Sequence, residues 1–283
     1  MRSIDTSLAY SRSNGLTISI VIYQPDEERL KTTLRTLGVA CALLQNDCPD
    51  VPIDLYLIDN GSTPDLQVNL ERLMPHNISY HLISGHGNIG YGRGHNLAIQ
   101  RARSRFHLVL NPDVELAPTS LMAGCNFLKI HPDAGLLAPC TMDEKGEIQY
   151  LCRRMPTIPD LFIRGFLPTP LKSCFQPRLA RYELRHLIND HDIVWDPEIV
   201  SGCFMLFRTD ILQQLNGFDP RYFLYFEDYD LSLRTHKIAR LAYVPSVKII
   251  HHGGGAARKG LWHIRLFATS ALRFFNRFGW KFW

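Results

Sequence analysis

Short apolar runs that alternate with helical patterns are the feature that most restricts how this chain can fold. Five runs in the first half read as strands: TISIVIY (17–23), IDLYLID (53–59), ISYHLIS (78–84), FHLVL (106–110) and AGLLAP (134–139). Helical patterns fill three of the gaps between them, at 27–44, 94–105 and 116–130. This alternation predicts an α/β fold with one mainly parallel, Rossmann-like sheet. Ligands of such sheets bind outside the carboxyl ends of the strands.

The second half of the chain is less regular. Residues 145–198 contain six prolines among basic residues, and they could form a lid, an acceptor loop or a poorly ordered excursion. IVSGCFMLFR (199–208) and LAYVPSVKII (241–250) are predicted strands, with a short helix at 209–215. With 283 residues and 46% hydrophobic content, we predict a tail at 1–16, a single domain at 17–255 and an extension at 256–283.

Charge is distributed unevenly along the chain. Asp230 is the last acidic residue, and ten lysines and arginines follow it. A basic end of this kind suits an anionic surface, either phospholipid or nucleic acid. From Leu261 to Trp283, aromatic and aliphatic residues fall on one face of a predicted amphipathic helix, with cations largely opposite. Such a helix either lies in a membrane interface or docks on its own domain.

Cysteine usage and hydropathy predict a compartment. The seven cysteines are scattered, odd in number and never spaced as C-x-x-C, which indicates a reducing environment rather than a disulfide framework. The polar N-terminus lacks the apolar core of a signal peptide. No run of about 18 uncharged apolar residues is present. We therefore expect a cytoplasmic protein.

Asp113 follows an apolar strand in the context Asn111-Pro112-Asp113. A carboxylate at the ligand edge of the sheet is a suitable oxygen ligand for Mg²⁺ or Mn²⁺, which would complete its shell with water and diphosphate oxygens. The alternative is a helix N-cap, because Asp is a good cap and Glu115 stands where the first turn would be.

A second acidic group lies in FEDYDLSLR (226–234). Acids this close to aromatic side chains should have raised pKa values unless they are paired, and a carboxylate in that setting suits a general base. The alternative is that these acids cap a helix and pair with Arg221 or Arg234.

Glycines and histidines provide two further candidates. GHGNIG (85–90) matches the G-x-G-x-x-G fingerprint of dinucleotide-binding proteins, although it follows the third strand rather than the first. An NAD(P)-dependent oxidoreductase that uses Gly85–Gly90 is therefore one alternative function. His251 and His252 end a predicted strand, where neighbouring side chains point to opposite faces, so only one of them can easily bind a given metal or phosphate.

Taken in order, these segments resemble one known family. They are IVIY (20–23), DNGS (59–62), NIGYG (88–92), LNPD (110–113), SGCFML (201–206), GFD (217–219), FLYFEDYDL (223–231) and His251. The chain is similar to family-2 inverting glycosyltransferases of the GT-A fold, most of all to bacterial rhamnosyltransferases of O-antigen and lipopolysaccharide assembly. The resemblance implies a nucleotide-binding half at 17–115 and an acceptor half at 116–255.

The resemblance also implies roles for individual residues. Asp59 would read the pyrimidine base with Tyr23 near the nucleoside, and Asn88, Gly90 and Gly92 would line the nucleotide pocket. Asn111 and Asp113 stand where the family has its Asp-x-Asp motif, which would put Asp113 on the metal. Gly202 would let the donor sugar approach the backbone, Asp228 would be the general base, and His251 would bind the metal or diphosphate.

The implied reaction is metal-dependent transfer of L-rhamnose from dTDP-L-rhamnose to a lipid-linked or lipopolysaccharide-core glycan. It implies Mg²⁺ or Mn²⁺ as cofactor and an anionic membrane surface, rather than nucleic acid, as partner of the basic tail. The enzyme would then be peripheral on the inner face of the plasma membrane. A non-catalytic protein that binds sugar nucleotides or membranes is the remaining alternative.

Overall fold

A single mixed sheet forms the centre of the molecule. The computed structural model describes residues 13–61, 73, 75, 77–253 and 260–282. Its strands are β1 (Ser13–Ile22), β2 (Ile53–Asp59), β3 (Ser79–Ile83), β4 (Ser104–Leu110), β5 (Val114–Leu116), β6 (Ala134–Met142), β7 (Val194–Trp195), β8 (Phe204–Arg208) and β9 (Arg240–His251). The sheet order is β3-β2-β1-β4-β8-β6-β9-β5, with β7 beside β9.

Nine helices lie in the same described ranges. They are α1 (Glu27–Asp47), α2 (Tyr91–Ile99), α3 (Ser120–Ile130), α4 (Ile158–Phe166), α5 (Thr169–Lys172), α6 (Gln176–Tyr182), α7 (Thr209–Gln214), α8 (Glu227–Thr235) and α9 (Leu261–Phe278), with a 3₁₀ turn at Ser173–Phe175 between α5 and α6. None of the helices in the described ranges has the length and apolar character needed to cross a membrane.

The sheet is parallel where the βαβ pattern predicted it and antiparallel further along. β3, β2, β1 and β4 are mutually parallel, and β6 is parallel to β9. β8 runs antiparallel to both β4 and β6, and β5 runs antiparallel to β9. The long excursion between β6 and β8 returns the chain to the end of the sheet at which β6 finishes, so β8 runs back antiparallel to its neighbours. As a result the start of β8 lies beside the carboxyl end of β4, where the amide of Asn111 donates to the Cys203 carbonyl at 2.9 Å.

Helices cover both faces of the sheet. On one face, α1 and α3 bury the apolar stripe of Leu34, Leu37 and Leu121 against inward-facing residues of β1, β4 and β8. On the other face, α2, α7 and α8 pack Ile99, Leu212 and Leu231 against alternate residues of the same strands. The central strands therefore bury side chains in both directions, as their nearly continuous apolar sequences require.

Several predicted boundaries differ from the structure. β1 begins at Ser13, inside the tail predicted at 1–16; residues 1–12, 254–259 and 283 lie outside the described residues. The helix predicted at 94–105 spans Tyr91–Ile99, because Gly94 packs closely on Val21 and β4 already begins at Ser104. The helix predicted from Leu116 begins at Ser120, since Val114–Leu116 pair with β9.

The C-terminal helix docks on its own domain, which decides between the two predictions for its apolar face. Phe267, Phe274 and Phe275 pack with Tyr222, Phe226 and Tyr229 around the start of α8. On its flank, Arg277 Nη1 lies 2.6 Å from carboxylate oxygens of both Asp219 and Asp230. The helix therefore supports the loop and helix that carry the second acidic group.

Candidate active site

The carboxyl ends of β1 and β2 form the first part of the candidate site. Asp59 is buried at the end of β2 and accepts the Gly61 amide proton at 2.8 Å. Asn60 donates to the Asn88 side chain at 3.4 Å and to the Gly90 carbonyl at 3.2 Å. Its Oδ1 is buried without a hydrogen-bond partner. The two asparagines thus tie the predicted nucleotide-binding loops together.

Gly90 occupies a position that no side chain could fill. Its φ is +89°, and a Cβ there would lie 2.5 Å from the Phe223 carbonyl oxygen. The next amide, of Tyr91, donates to that same carbonyl at 3.1 Å. Gly90 therefore lets the first turn of α2 approach the loop before α8.

The other two residues predicted for the nucleotide pocket differ in their surroundings. Tyr23 is half exposed at the end of β1 and lies beside Gly61, close to Asp59. Gly92 is buried, and a Cβ added to it would lie 2.8 Å from the Phe218 side chain. Gly92 thus serves the packing of α2 against Phe218, whereas Tyr23 remains at the edge of the sheet.

The hydroxyl of Tyr91 joins the two halves of the site. It lies 2.7 Å from the Gly202 carbonyl oxygen and 3.0 Å from Asn111 Oδ1, and its single proton is shared between these two acceptors. Burial raises the pKa of Tyr91 well above its usual value, and the negative charges of Glu227, Asp228 and Asp113 raise it further. The phenol therefore stays protonated, and both acidic groups of the site lie near it.

Asp113 and His251 meet across the β5–β9 pair. Asp113 Oδ1 is 3.6 Å from His251 Nε2, and this oxygen is buried without a hydrogen-bond partner. A Cβ on Gly253 would lie 2.5 Å from His251 Nε2 and 2.7 Å from Asp113 Oδ2, so the glycine keeps this cradle open. Asp113 precedes strand β5 rather than a helix, and the helix-cap alternative is therefore wrong.

The two ring nitrogens of His251 face different partners: Nε2 faces Asp113, and Nδ1 faces Gln149. Its Nδ1 lies 3.3 Å from the Gln149 side-chain oxygen, and the Gln149 amide donates to the His251 carbonyl at 2.8 Å. A proton held on Nδ1 by this oxygen leaves Nε2 able to ligate a metal. His252 points elsewhere, with ring nitrogens 2.6 Å from Glu115 and 2.7 Å from Glu144, as the strand alternation predicted.

A buried carboxylate oxygen of Asp113 without a hydrogen-bond partner, an imidazole nitrogen that faces it and a glycine beside both fit a divalent cation. No group of three or more His, Cys, Asp or Glu side chains able to hold a metal occurs in the described part of the chain. Asp113 and His251 would therefore supply only two ligands. Water and phosphate oxygens would complete the shell, which is how Mg²⁺ is usually held beside a substrate diphosphate.

Asp228 lies at the start of α8 and faces Gly202. Its Oδ2 accepts the Gly202 amide proton at 2.9 Å, and its Oδ1 accepts the Tyr229 amide proton at 2.9 Å. A Cβ on Gly202 would lie 3.3 Å from both the Asp228 Cβ and the Tyr91 hydroxyl. Backbone and carboxylate thus approach closely at this point, while Asp230 on the same helix pairs with Arg234 and Arg277.

Glu227 and Asp228 are adjacent carboxyl groups at the start of α8, of which Glu227 is buried and Asp228 is half-buried. Burial, and next the charge of Asp228, raise the pKa of Glu227 to about 8. Burial also raises the pKa of Asp228, but the Gly202 amide, Arg153 and the Tyr229 amide oppose that effect. Two adjacent carboxyls in a low dielectric hold one proton between them near neutral pH. The amide donors favour Asp228 as the ionised member and Glu227 as the protonated one.

Arg153 is a buried cation behind this pair. Its Nη1 donates to the Tyr229 hydroxyl at 2.6 Å, and that hydroxyl lies 3.0 Å from the Tyr182 hydroxyl. The irregular stretch 145–198 therefore supplies part of the wall beside Asp228. Sequence reasoning missed Arg153, Tyr91 and Gly253; a tyrosine directly after the glycine run, and a glycine two residues after His251, were the available signals.

Comparison with known proteins identifies the family. Residues 17–215 match the profile described as glycosyl transferase family 2. The chain is 31% identical over 217 residues to N-acetylglucosaminyl-diphospho-decaprenol L-rhamnosyltransferase of Mycobacterium tuberculosis, covering 71% of this chain and 67% of that protein. It is 28% identical over 210 residues to Rhamnosyltransferase WbbL of Escherichia coli K12, covering 69% and 75%.

Solved structures share the fold. TarS from S. aureus superposes with a TM-score of 0.57 at 14% identity, over 93% of this chain and 40% of the TarS chain. GalNAc-T7, solved with UDP, GalNAc and Mn²⁺, superposes with a TM-score of 0.59 at 13% identity, over 87% of this chain and 44% of that one. The family match does not favour the oxidoreductase alternative. The chain is a glycosyltransferase that belongs to glycosyl transferase family 2.

Proposed function

We propose that this enzyme transfers L-rhamnose from dTDP-L-rhamnose to a hydroxyl of a lipid-linked or lipopolysaccharide-core glycan. The transfer would invert the anomeric centre, require a divalent cation and take place at the inner face of the plasma membrane. The observation that carries the proposal is the pair of acidic centres, Asp113 and Asp228, on either side of the Tyr91 hydroxyl. The names of two relatives, both rhamnosyltransferases, support the sugar.

Donor binding is assigned to the edge formed by β1, β2 and β4. Asp59, with Tyr23 beside it, would contact the base and nucleoside. Asn88 and Gly90 would shape the backbone around the nucleotide, since Asn88 Oδ1 accepts the Gly90 amide proton at 3.1 Å. Asn111 and Gly202, joined through the Tyr91 hydroxyl, would place the sugar between the metal site and Asp228.

Asp113 and His251 would hold the cation. When bound there, Mg²⁺ or Mn²⁺ supplies positive charge that neutralises the departing diphosphate. The open space next to Gly253 leaves the remaining coordination positions to water and phosphate oxygens.

Asp228 would act as the general base. Amide donors from Gly202 and Tyr229 orient both of its oxygens and favour the ionised form, while protonated Glu227 adds no second charge. Ionised Asp228 removes the proton from the acceptor hydroxyl as that oxygen attacks the anomeric carbon from the face opposite the diphosphate. One displacement needs one base, so the anomeric centre inverts.

The experiment is a donor panel. Purified enzyme is incubated with dTDP-L-rhamnose, UDP-glucose, UDP-galactofuranose or UDP-N-acetylglucosamine, a lipid-linked acceptor fraction, and either Mn²⁺ or excess chelator. We expect dTDP-L-rhamnose to be consumed only with the cation, and NMR of the product to show inversion. Preference for another donor, or equal turnover with chelator, would contradict the proposal.

A matched variant separates catalysis from binding. Asp228→Asn removes the base and keeps the size of the side chain, so turnover should fall by roughly 10² to 10⁴. The dissociation constant for dTDP, measured by calorimetry, should stay within about threefold of the wild-type value, because the substitution removes the base and no contact with the nucleotide. Unchanged turnover would show that Asp228 is not the base, and absence of turnover in the wild type with every donor would support the alternative of a non-catalytic binding protein.

A further inference from the structure

The exposed surface formed by α4–α6 and by α9 with the residues after it combines apolar side chains with positive charge. This surface, called here the basic aromatic face, contains no acidic residue between 161 and 182 or between 261 and 282. Its exposed apolar side chains are Phe162, Leu171, Phe175, Leu261, Trp262, Leu272, Trp280 and Phe282. Its cations are Arg164, Lys172, Arg178, Arg181, Arg265, Arg273, Arg277 and Lys281. Three of them are in ion pairs with carboxylates: Arg164 with Glu183, Arg178 with Asp160, and Arg277 with Asp219 and Asp230.

The two parts of the basic aromatic face adjoin one another. The Ile158 amide, at the start of α4, donates to the Lys281 carbonyl at 3.0 Å. Leu161 of α4 packs in the same cluster as Phe274 and Phe275 of α9. Within the helical segment, Lys172 Nζ donates to the Arg164 carbonyl at 2.7 Å, so α5 folds back onto α4.

The outer side of α9 has a different composition from its docked side. Leu261, Trp262, Arg265 and Leu272 fall on the exposed side, opposite the buried Ser270 and Phe274. Trp262 is 61% exposed and Leu272 is 53% exposed. Large apolar side chains grouped in this way on a protein surface mark an interaction site rather than a solvated one.

We propose that the basic aromatic face lies on an anionic phospholipid bilayer. Tryptophan and phenylalanine prefer the headgroup boundary, and lysines and arginines beside them are attracted by anionic lipid. A second copy of the chain fits this surface less well, because a symmetric dimer would bring two faces with an excess of cations together.

The location explains what the contact would achieve. Tyr182, at the end of α6, lies 3.0 Å from the Tyr229 hydroxyl, next to the Asp228 backbone. On the other side, Ser270 of α9 donates to the Leu224 carbonyl at 2.8 Å, in the loop before α8. Both parts of the face therefore brace the helix that carries the proposed base. The purpose of the contact, delivery of a lipid-linked acceptor, rests on the proposed function, but binding itself requires no turnover.

The test is sedimentation of the full chain with vesicles. One set contains phosphatidylglycerol with phosphatidylethanolamine, and the other contains phosphatidylcholine alone. We expect binding to the anionic vesicles that weakens with added salt, and little binding to the neutral ones. Absence of binding to anionic vesicles would overturn the proposal and would leave the donor panel unaffected.

Variants localise the contact. Arg181→Glu with Arg265→Glu should weaken partitioning by roughly tenfold or more, because each lost cation removes attraction to the anionic surface. Trp262→Ser with Leu272→Ser should weaken it at low and high salt alike. These side chains are exposed, so melting temperatures should match the wild type.

Matched controls lie on other surfaces. Ile130 at the end of α3 is 72% exposed, and Lys237 follows α8 on the exposed surface. Ile130→Ser and Lys237→Glu should bind vesicles like the wild type. Equal losses in controls and face variants would overturn the proposal. So would a wild-type dimer in sedimentation velocity that the face variants dissociate while vesicle binding is unchanged.

Discussion

Replacing Glu227 by glutamine should make the free energy of unfolding less dependent on pH. Glu227 is buried at the start of α8, and its Oε2 has no hydrogen-bond partner. Burial and the neighbouring charge of Asp228 raise its pKa from 4.5 to about 8. Glutamine has nearly the same shape and carries no charge at any pH, so the comparison isolates the ionisation.

The sign and size follow from proton linkage. Below pH 4.5 the glutamate is protonated in both the folded and the unfolded chain, and the charge has no effect on stability. Between pH 4.5 and pH 8 the unfolded chain loses the proton first, so the wild type loses stability as pH rises. Above pH 8 both states are ionised and the penalty is constant. A shift of this size corresponds to roughly 3–5 kcal/mol.

The assay is urea unfolding of wild type and Glu227→Gln at pH 5, 7 and 9, followed by tryptophan fluorescence. We expect similar stabilities at pH 5, and a variant that is more stable than the wild type by roughly 3–5 kcal/mol at pH 9. Titration of distant groups, including the buried His95 and His107, is common to both proteins and cancels in the difference. Asp228 is the exception, because its titration depends on the charge of Glu227.

A matched control tests whether burial causes the effect. Glu147 lies exposed on a turn, and Glu147→Gln should follow the wild-type curve at all three pH values. A difference between wild type and Glu227→Gln that is the same at pH 5 and pH 9 would refute the reasoning. It would mean that Glu227 is ionised in the folded enzyme at neutral pH.

Three further substitutions test contacts that hold the site together. Tyr91→Phe leaves the Gly202 carbonyl without its phenol donor, so the free energy of unfolding should fall by about 1–3 kcal/mol and the initial rate of transfer should fall as well. An unchanged rate would exclude a positioning role for the Tyr91 hydroxyl. Gly253→Ala should raise the Mn²⁺ concentration for half-maximal activity by roughly tenfold or more, whereas Gly165→Ala, at an open position, should not. Arg277→Met should lower unfolding free energy by about 2 kcal/mol in urea, and no loss would show that its two carboxylate contacts do not anchor α9.

Local sequence patterns were sufficient for the elements and for the candidate acids. The span of β2 was predicted to the residue, and the start of α1 at Glu27 was predicted correctly, because hydrophobic periodicity is a property of neighbouring residues. Asp113 and Asp228 were also recognisable, since each stands beside a strand or helix end within a short motif. Their roles remain proposals.

The pairing of strands far apart in the chain was harder to predict from the sequence. The strand predicted at 199–208 is shorter and runs antiparallel to β4 and β6, because the excursion before it returns the chain to the end of the sheet at which β6 finishes. The helices of 145–198 were missed since prolines and basic residues obscure their periodicity; α4 begins at a Thr157–Asp160 capping box. Sequence periodicity gives no direct information on either arrangement.

The sequence by itself determined the alternation of strands and helices, the family resemblance, and the acid-free basic end of the chain. Only the tertiary structure decided that Asp113 meets His251, that Tyr91 joins Asn111 to Gly202, and that the aromatic side of α9 is used for docking. The physical reason is that periodicity and capping act between residues a few positions apart. Contacts between distant segments depend instead on strand order and on which apolar surfaces remain to be buried.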